Sequence, residues 1–284
     1  SFQLGFAQLS RTHYVPPISV ANDSNSMPQN QYLHISTPSL IPVSVELTEI
    51  GGSVSVLSAS NANPIQILIG SGTNTSFVAD LSTTGTKYSN KGYRIQAEQP
   101  VYVSVRLTAG NNQSQAGSLV SKGLSGLGTT FRLGTFTNQK TFTTANSDYL
   151  NFVSVMATEN NTHVDFSDLP SGIVVENNSP LSIVLDYGET YIIALNPATV
   201  PANRDGLVGA LVSASKPIVI NCGSSNGSNA TGNGRDYGID QIAPFETIVI
   251  DGQAHSEYIF VRANGFDAIE RPLIVAHLDN TAVY

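Results

Sequence analysis

The feature that most constrains this chain is a period of two in its apolar residues. In the stretch VYVSVRL, Val101, Val103, Val105 and Leu107 alternate with Tyr102, Ser104 and Arg106. Successive side chains of a strand point to opposite faces, so this pattern gives an extended segment one buried and one solvated face. Val43–Leu47, Ile65–Ile69, Leu181–Leu185 and Tyr258–Arg262 carry the same signature. Turn-forming clusters separate them: Gly51-Gly52, Gly70–Gly72, Asn111-Asn112, Asp168–Gly172 and Asn203–Gly206. No segment sustains an apolar repeat at helical spacing with caps. Ala116–Leu127 has room for one helical turn, and its glycines argue against more. The prediction is an all-β fold of tandem antiparallel sandwich-like units with little or no helix.

The chain has 284 residues, of which 40% are hydrophobic, enough for about two domains with real cores. Only 12% are charged, so Ser, Thr, Asn, Gln and Gly must supply the polar surface. The net charge is −8 and the 13 basic residues are scattered. No Lys/Arg cluster tracks a phosphate backbone, which argues against nucleic acid and against an anionic membrane surface. No apolar run reaches the length needed to span a bilayer. Residues 1–8, SFQLGFAQ, resemble the tail of a signal peptide cleaved around Ala7 and Gln8, with an ordinary first strand as the alternative. The single cysteine, Cys222, excludes an intrachain disulfide and reads as a small buried residue of a strand.

Internal repeats organise the chain. YLHISTPSLIPVSVEL from Tyr32, YLNFVSVMATENNTHVDF from Tyr149 and RPLIVAHLDNTAVY from Arg271 are alike. GYRIQAEQPVYVSVRLTAG (Gly92–Gly110) matches GLVGALVSASKPIVINCGSSNG (Gly206–Gly227), with Pro100 and Pro217 at equivalent places. GLGTTFRLGTF (Gly126–Phe136) stands beside HSEYIFVRANG (His255–Gly265). The expected units are 9–137 and 138–266, joined by the linker Thr137–Asp148. Residues 267–284 then open a third unit or close the second. If they close the second, Leu273, Val275 and Val283 are buried; otherwise an open hairpin awaits further chain, and the sequence reads as an N-terminal piece of a longer protein.

Catalytic and metal motifs are missing. His13, His34, His163, His255 and His277 show no ligand spacing, and no G-x-S-x-G elbow occurs. The expectation is a non-enzyme without a cofactor. The most unusual stretch is Gly223–Gly238, GSSNGSNATGNGRDYG, read as a long exposed loop at one end of the second unit. Asn226, Asn229, Arg235, Asp236 and Asp240, with Asn203 and Asp205 from a neighbouring turn, form the candidate ligand-binding set. Their oxygens leave a calcium site open, although the spacing fits no EF-hand.

The segments YLNFVSVMATENNTHV, GLVGALVSASKPIVINCGSSNG, RDYGIDQIAP, EYIFVRANG and PLIVAHLDNTAVY, in that order, resemble the N-terminal domain of IgG-Fc-binding protein. LSRTHYVPP, VSKGLSGLGTTFRLG and NRDGLVG are similar to large surface proteins of gliding bacteria exported by type IX secretion. The resemblance implies a secreted bacterial cell-surface adhesin or surface filament for attachment or gliding. A surface glycan or protein is the implied ligand, and secretion or gliding machinery the implied partner. The alternative is a carbohydrate-binding or carbohydrate-cleaving extracellular module. Against it stands the complete lack of Trp, the commonest sugar platform.

Overall fold

Two strands of seventeen residues organise the computed structural model, which describes residues 8–21, 26–134, 149–227, 236–245, 248–250, 253–255 and 273–282. The strands, in chain order, are β1 (Ser10–Val15), β2 (Ile18–Val20), β3 (Pro28–Ser36), β4 (Val43–Glu49), β5 (Val54–Ala59), β6 (Ile65–Ser71), β7 (Val78–Asp80), β8 (Lys87–Tyr88), β9 (Tyr93–Ala109) and β10 (Gln115–Val120). They continue as β11 (Gly128–Arg132), β12 (Leu150–Ala157), β13 (Thr162–Ser167), β14 (Ser182–Leu185), β15 (Thr190–Leu195), β16 (Leu211–Gly227), β17 (Asp236–Ile242), β18 (Ile248–Ile250) and β19 (Gln253–His255). Among the described residues the only helical elements are short 3₁₀ turns. The fold is all-β, as the alternation predicts.

The long strands are β9 and β16. A strand of this length exceeds what one flat sheet usually holds, and each bends at a proline, Pro100 or Pro217. Before its proline, β9 pairs with β1 and β4; after it, with β3 and β10. Likewise β16 pairs first with β11 and β13, then with β12 and β17. The two corners match in register: Ser10 pairs with Val101 and Gly128 with Ile218, each the residue after the proline. Each unit is thus a sandwich whose two sheets share one bent strand. The order β5-β4-β9-β3-β6 in the first unit is repeated as β14-β13-β16-β12-β15 in the second.

This register places the start of the second copy at β11. Gly128–Arg132 precedes residue 138, where the sequence reading began the second unit, yet its partner is β16. The strand GTTFR corresponds to SRTHY of β1, a match too short to stand out by sequence alone.

The units are stitched together. Strand β8 of the first pairs with β15 of the second, Tyr88 opposite Thr190 and Lys87 opposite Tyr191. The parallel pair β2–β7 of the first unit lies against the second unit's sheet, where β2 touches β12, β15 and β16. Strands β12 and β15 are therefore buried on both faces. Val153, Val155, Tyr191 and Ile193 face the second unit's own core. Phe152 and Ile192 face Ile18, Val20, Phe77 and Val78 in a core shared by both units. That double burial explains why alternation fails in LNFVSVMA and TYIIAL, whose apolar residues occupy both faces.

Residues 273–282 form no strand. Leu273 is exposed and Val275 only half-buried, so the segment does not close the second unit as a buried hairpin; Val283 lies outside the described residues. The places beside β16 are already taken by β11, β12, β13 and β17. The segment instead crosses β11. The Arg132 Nε donates to His277 Nδ1 at 3.1 Å, and the His277 ring stacks on Phe245 with centroids 4.4 Å apart. The turn at Asp279-Asn280 is present, with Asn280 in the left-handed region at φ 60°. Tyr258–Arg262 and Gly265 lie outside the described residues.

Candidate functional site

Among the described candidates, the structure brings Asn226 and Asp236 together on the adjacent residues Gln115 and Ala116, and sets Asn203, Asp205 and Asp240 apart from them. Gly223–Gly227 is not loop but the buried end of β16, and Asp236–Gly238 already belongs to β17. Asn229 and Arg235 lie between, outside the described residues. For Gly223–Gly227 the expectation of an exposed loop fails, because the first unit covers these polar residues and supplies partners. The Gln115 Nε2 donates to Asn226 Oδ1 at 2.7 Å, and Asn221 Nδ2 to the Pro16 carbonyl at 2.7 Å. A Cβ at Gly223 would collide with the Gly238 carbonyl oxygen, so glycine permits the close approach of β17.

Asn203, fully buried in the 3₁₀ turn Pro201–Asp205, is a structural staple. Its Nδ2 donates to the carbonyls of Val174 at 2.7 Å and Asn196 at 3.0 Å, while its Oδ1 accepts from the Val174 N–H at 2.9 Å. Its own carbonyl accepts from Asn151 Nδ2 at 2.7 Å. Little of this side chain is left for a ligand. Asp205 pairs with its neighbour Arg204 at 3.2 Å. Asp236 accepts from the Ala116 N–H, and Asp240 pairs with Lys122 at 3.1 Å. Those last two carboxylates tie β17 to the first unit. Four strand residues apart, they stand about 13 Å from each other, too far to share one calcium ion. Among the described residues, no three His, Cys, Asp or Glu side chains converge as a metal site would need.

Cys222 is buried, its Sγ 2.9 Å from the Gly134 carbonyl, and burial pushes its thiol strongly up. A thiol held protonated is a poor nucleophile.

A buried polar network that sequence reasoning did not find sits between the units. His13 of β1 is fully buried. Its Nε2 faces the carbonyls of Val101 at 2.9 Å and Ser10 at 3.2 Å, so that nitrogen donates. Its Nδ1 lies 3.0 Å from Ser121 Oγ, which is 3.2 Å from Gln241 Oε1. Gln241 of β17 accepts from the Lys122 N–H at 2.7 Å and donates to the Tyr14 carbonyl at 2.9 Å and to Asn221 Oδ1 at 3.2 Å. Burial lowers the His13 pKa; its backbone hydrogen bonds oppose the shift only in part. Its lack of ligand spacing was the one sequence clue that His13 is structural. A second, more exposed bridge joins the units where Arg94 donates to Tyr187 Oη at 2.9 Å and pairs with Glu46 at 2.7 Å.

The first unit also leaves apolar surface open. Strands β5 and β6 carry no charge, and Val54, Val56 and Leu68 are exposed. Between these strands Leu57, Ile65, Ile67 and Ile69 reach the core only partly buried.

A family model described as IgGFc binding protein matches residues 116–284. The chain belongs to this family. The match starts in β10 and takes in the whole second unit. Residues 10–115 lie outside it, yet they repeat the strand order of the matched unit. No curated protein and no solved structure matches the chain.

Proposed function

We propose that this protein is a non-enzymatic, extracellular binding module of a bacterial cell surface, serving attachment, with gliding and type IX export as its setting. Membership of the IgGFc-binding family carries the reading, because it supports an extracellular binding role. The stitched double sandwich supports it further: two units joined through a shared core and the β8–β15 pair hold open sheet surface outward, as a display module needs. The dispersed carboxylates and the protonated, buried Cys222 favour binding over catalysis. The family's description names the Fc region of IgG, and we do not carry that ligand to this chain.

The test is competition. Purified chain added to attaching cells, or coated on beads presented to a glycan array and to host or bacterial surfaces, should bind one of them saturably and reduce attachment. Reproducible turnover of a polysaccharide, ester or peptide that disappears in Asp236→Ala or Asp240→Ala would overturn the reading. Saturable binding confined to free sugars would favour the carbohydrate module instead.

A further inference from the structure

The two copies of the unit differ at one functional-looking place. Registers align them: Ile65 pairs with Ile35, which pairs with Val103, the third residue after Pro100. Tyr191 pairs with Val155, which pairs with Ile220, the third residue after Pro217. Ile67 and Ile193 correspond in the same way, through Leu33 and Val153. On the facing sheet, Leu57 corresponds to Ile183, through Val45–Ala97 and Val164–Ala214.

In the second unit Tyr191 and Ile193 are fully buried. Their cover is the connection between β13 and β14, residues 168–181. Leu169, Ile173 and Val175 pack on the core that holds them. The Tyr191 hydroxyl donates to the Pro180 carbonyl at 2.7 Å, and Asn203 grips the Val174 backbone on both its N–H and its carbonyl. In the first unit the corresponding connection is only residues 50–53, a tight turn closed by the Ser53 carbonyl accepting from the Glu49 N–H at 2.9 Å. It packs on Ser89 and Asn90, with the Ile50 N–H donating to the Gly92 carbonyl at 3.0 Å, and lays no chain over the core, so Ile65, Ile67 and Leu57 stay only partly buried between β5 and β6. Leu68 and Val56 point to the outer faces of their strands, away from the seam, where they are 55% and 72% exposed. Among the described residues no strand pairs with the outer edge of β6, whereas the equivalent edge of β15 holds β8.

From this comparison we infer that the seam between β5 and β6 is a docking groove for an extended polypeptide segment of a partner, with branched aliphatic residues at alternate positions. The molecule itself displays the occupant's chemistry, because Ile173-Val174-Val175 fills the matching seam one unit later. The absence of charge on β5 and β6 selects an uncharged contact stretch, and the unpaired β6 edge offers backbone hydrogen bonds to it. The inference deepens the binding-module reading and rests on it by naming the class of ligand.

A fluorescent peptide of residues 171–180, SGIVVENNSP, serves as the probe, titrated into the whole chain and followed by anisotropy. Saturable binding is expected, lost when serine replaces both Ile173 and Val175 in the peptide. Ile67→Asp and Leu57→Asp in the chain should each weaken it by at least about tenfold. Both positions are half-exposed near a sheet edge, and circular dichroism checks that each variant folds; one folded variant suffices. No saturation, or equal binding by a folded variant, sinks the proposal. So does a chain that elutes as a dimer and becomes monomeric with Ile67→Asp, because the seam then belongs to a second copy. Full hydrogen-exchange protection of residues 65–69 in the free monomer would also overturn it. Peptide binding without cell attachment would remove the attachment role alone; attachment that survives Ile67→Asp would remove the seam alone.

Discussion

His13 shows how one side chain can tie stability to pH. The unfolded imidazole has a pKa near 6.5, and burial lowers the folded value below that. Between the two values the unfolded chain binds the proton more readily. The contribution is therefore complete above about pH 6.5 and is lost as pH falls toward the lowered folded value. Lys122 and Asp240 pair with each other nearby, and no carboxylate contributes to the His13 shift. Urea midpoints at pH 7.5 and pH 5 should show the loss, and His13→Gln should flatten that part of the pH dependence. An equal pH dependence in both proteins would count against the assignment. Asn203 makes a different point. Asn203→Ala removes the partners of Val174 and Asn196, and it should cost about 1–3 kcal/mol in chemical unfolding. If Asn203 bound a ligand instead, stability would hold and binding would fall.

At the scale of elements, the bent strands carry the fold, and glycine fixes how close their neighbours come. Gly223→Ala forces a Cβ onto the Gly238 carbonyl and should pry β17 from β16. The measured signs would be a lower melting temperature and faster amide exchange along Asp236–Ile242. Gly209→Ala is a useful comparison: nothing lies within 4 Å of its Cβ, although its φ of 88° still strains any side chain. It should therefore disturb local backbone without loosening β17.

For the molecule as a whole, the shared core predicts that the two units unfold together. Phe152 and Ile192 belong to the second unit's strands but pack among side chains of the first. Each such burial is worth roughly 1.5–3 kcal/mol. Calorimetry should give one transition for the intact chain. Phe152→Ala, costing about 3–5 kcal/mol, should lower it and separate the two units' melting. Two transitions in the unaltered chain would show that the interface is weaker than its packing indicates.

The β class, the turns and the equivalence of the two proline-bearing strands were legible in the sequence, because side-chain alternation and turn chemistry are local. VYVSVRL needs no partner to declare its two faces. Whether Ser224 and Asn226 meet water was not local at all. Their run GSSNG reads as a solvated loop, and only the first unit folding over β16 buries it. The same is true of LNFVSVMA, whose second apolar face makes sense once β2 and β7 lie against it. The candidate residues were drawn elsewhere for that reason: Asn203 turned inward to the backbone of Val174 and Asn196, while Asp236 and Asp240 turned to the neighbouring unit. Local patterning thus determined which segments are strands. Tertiary structure decided which polar groups are buried, because burial depends on what a distant part of the chain places on top of them.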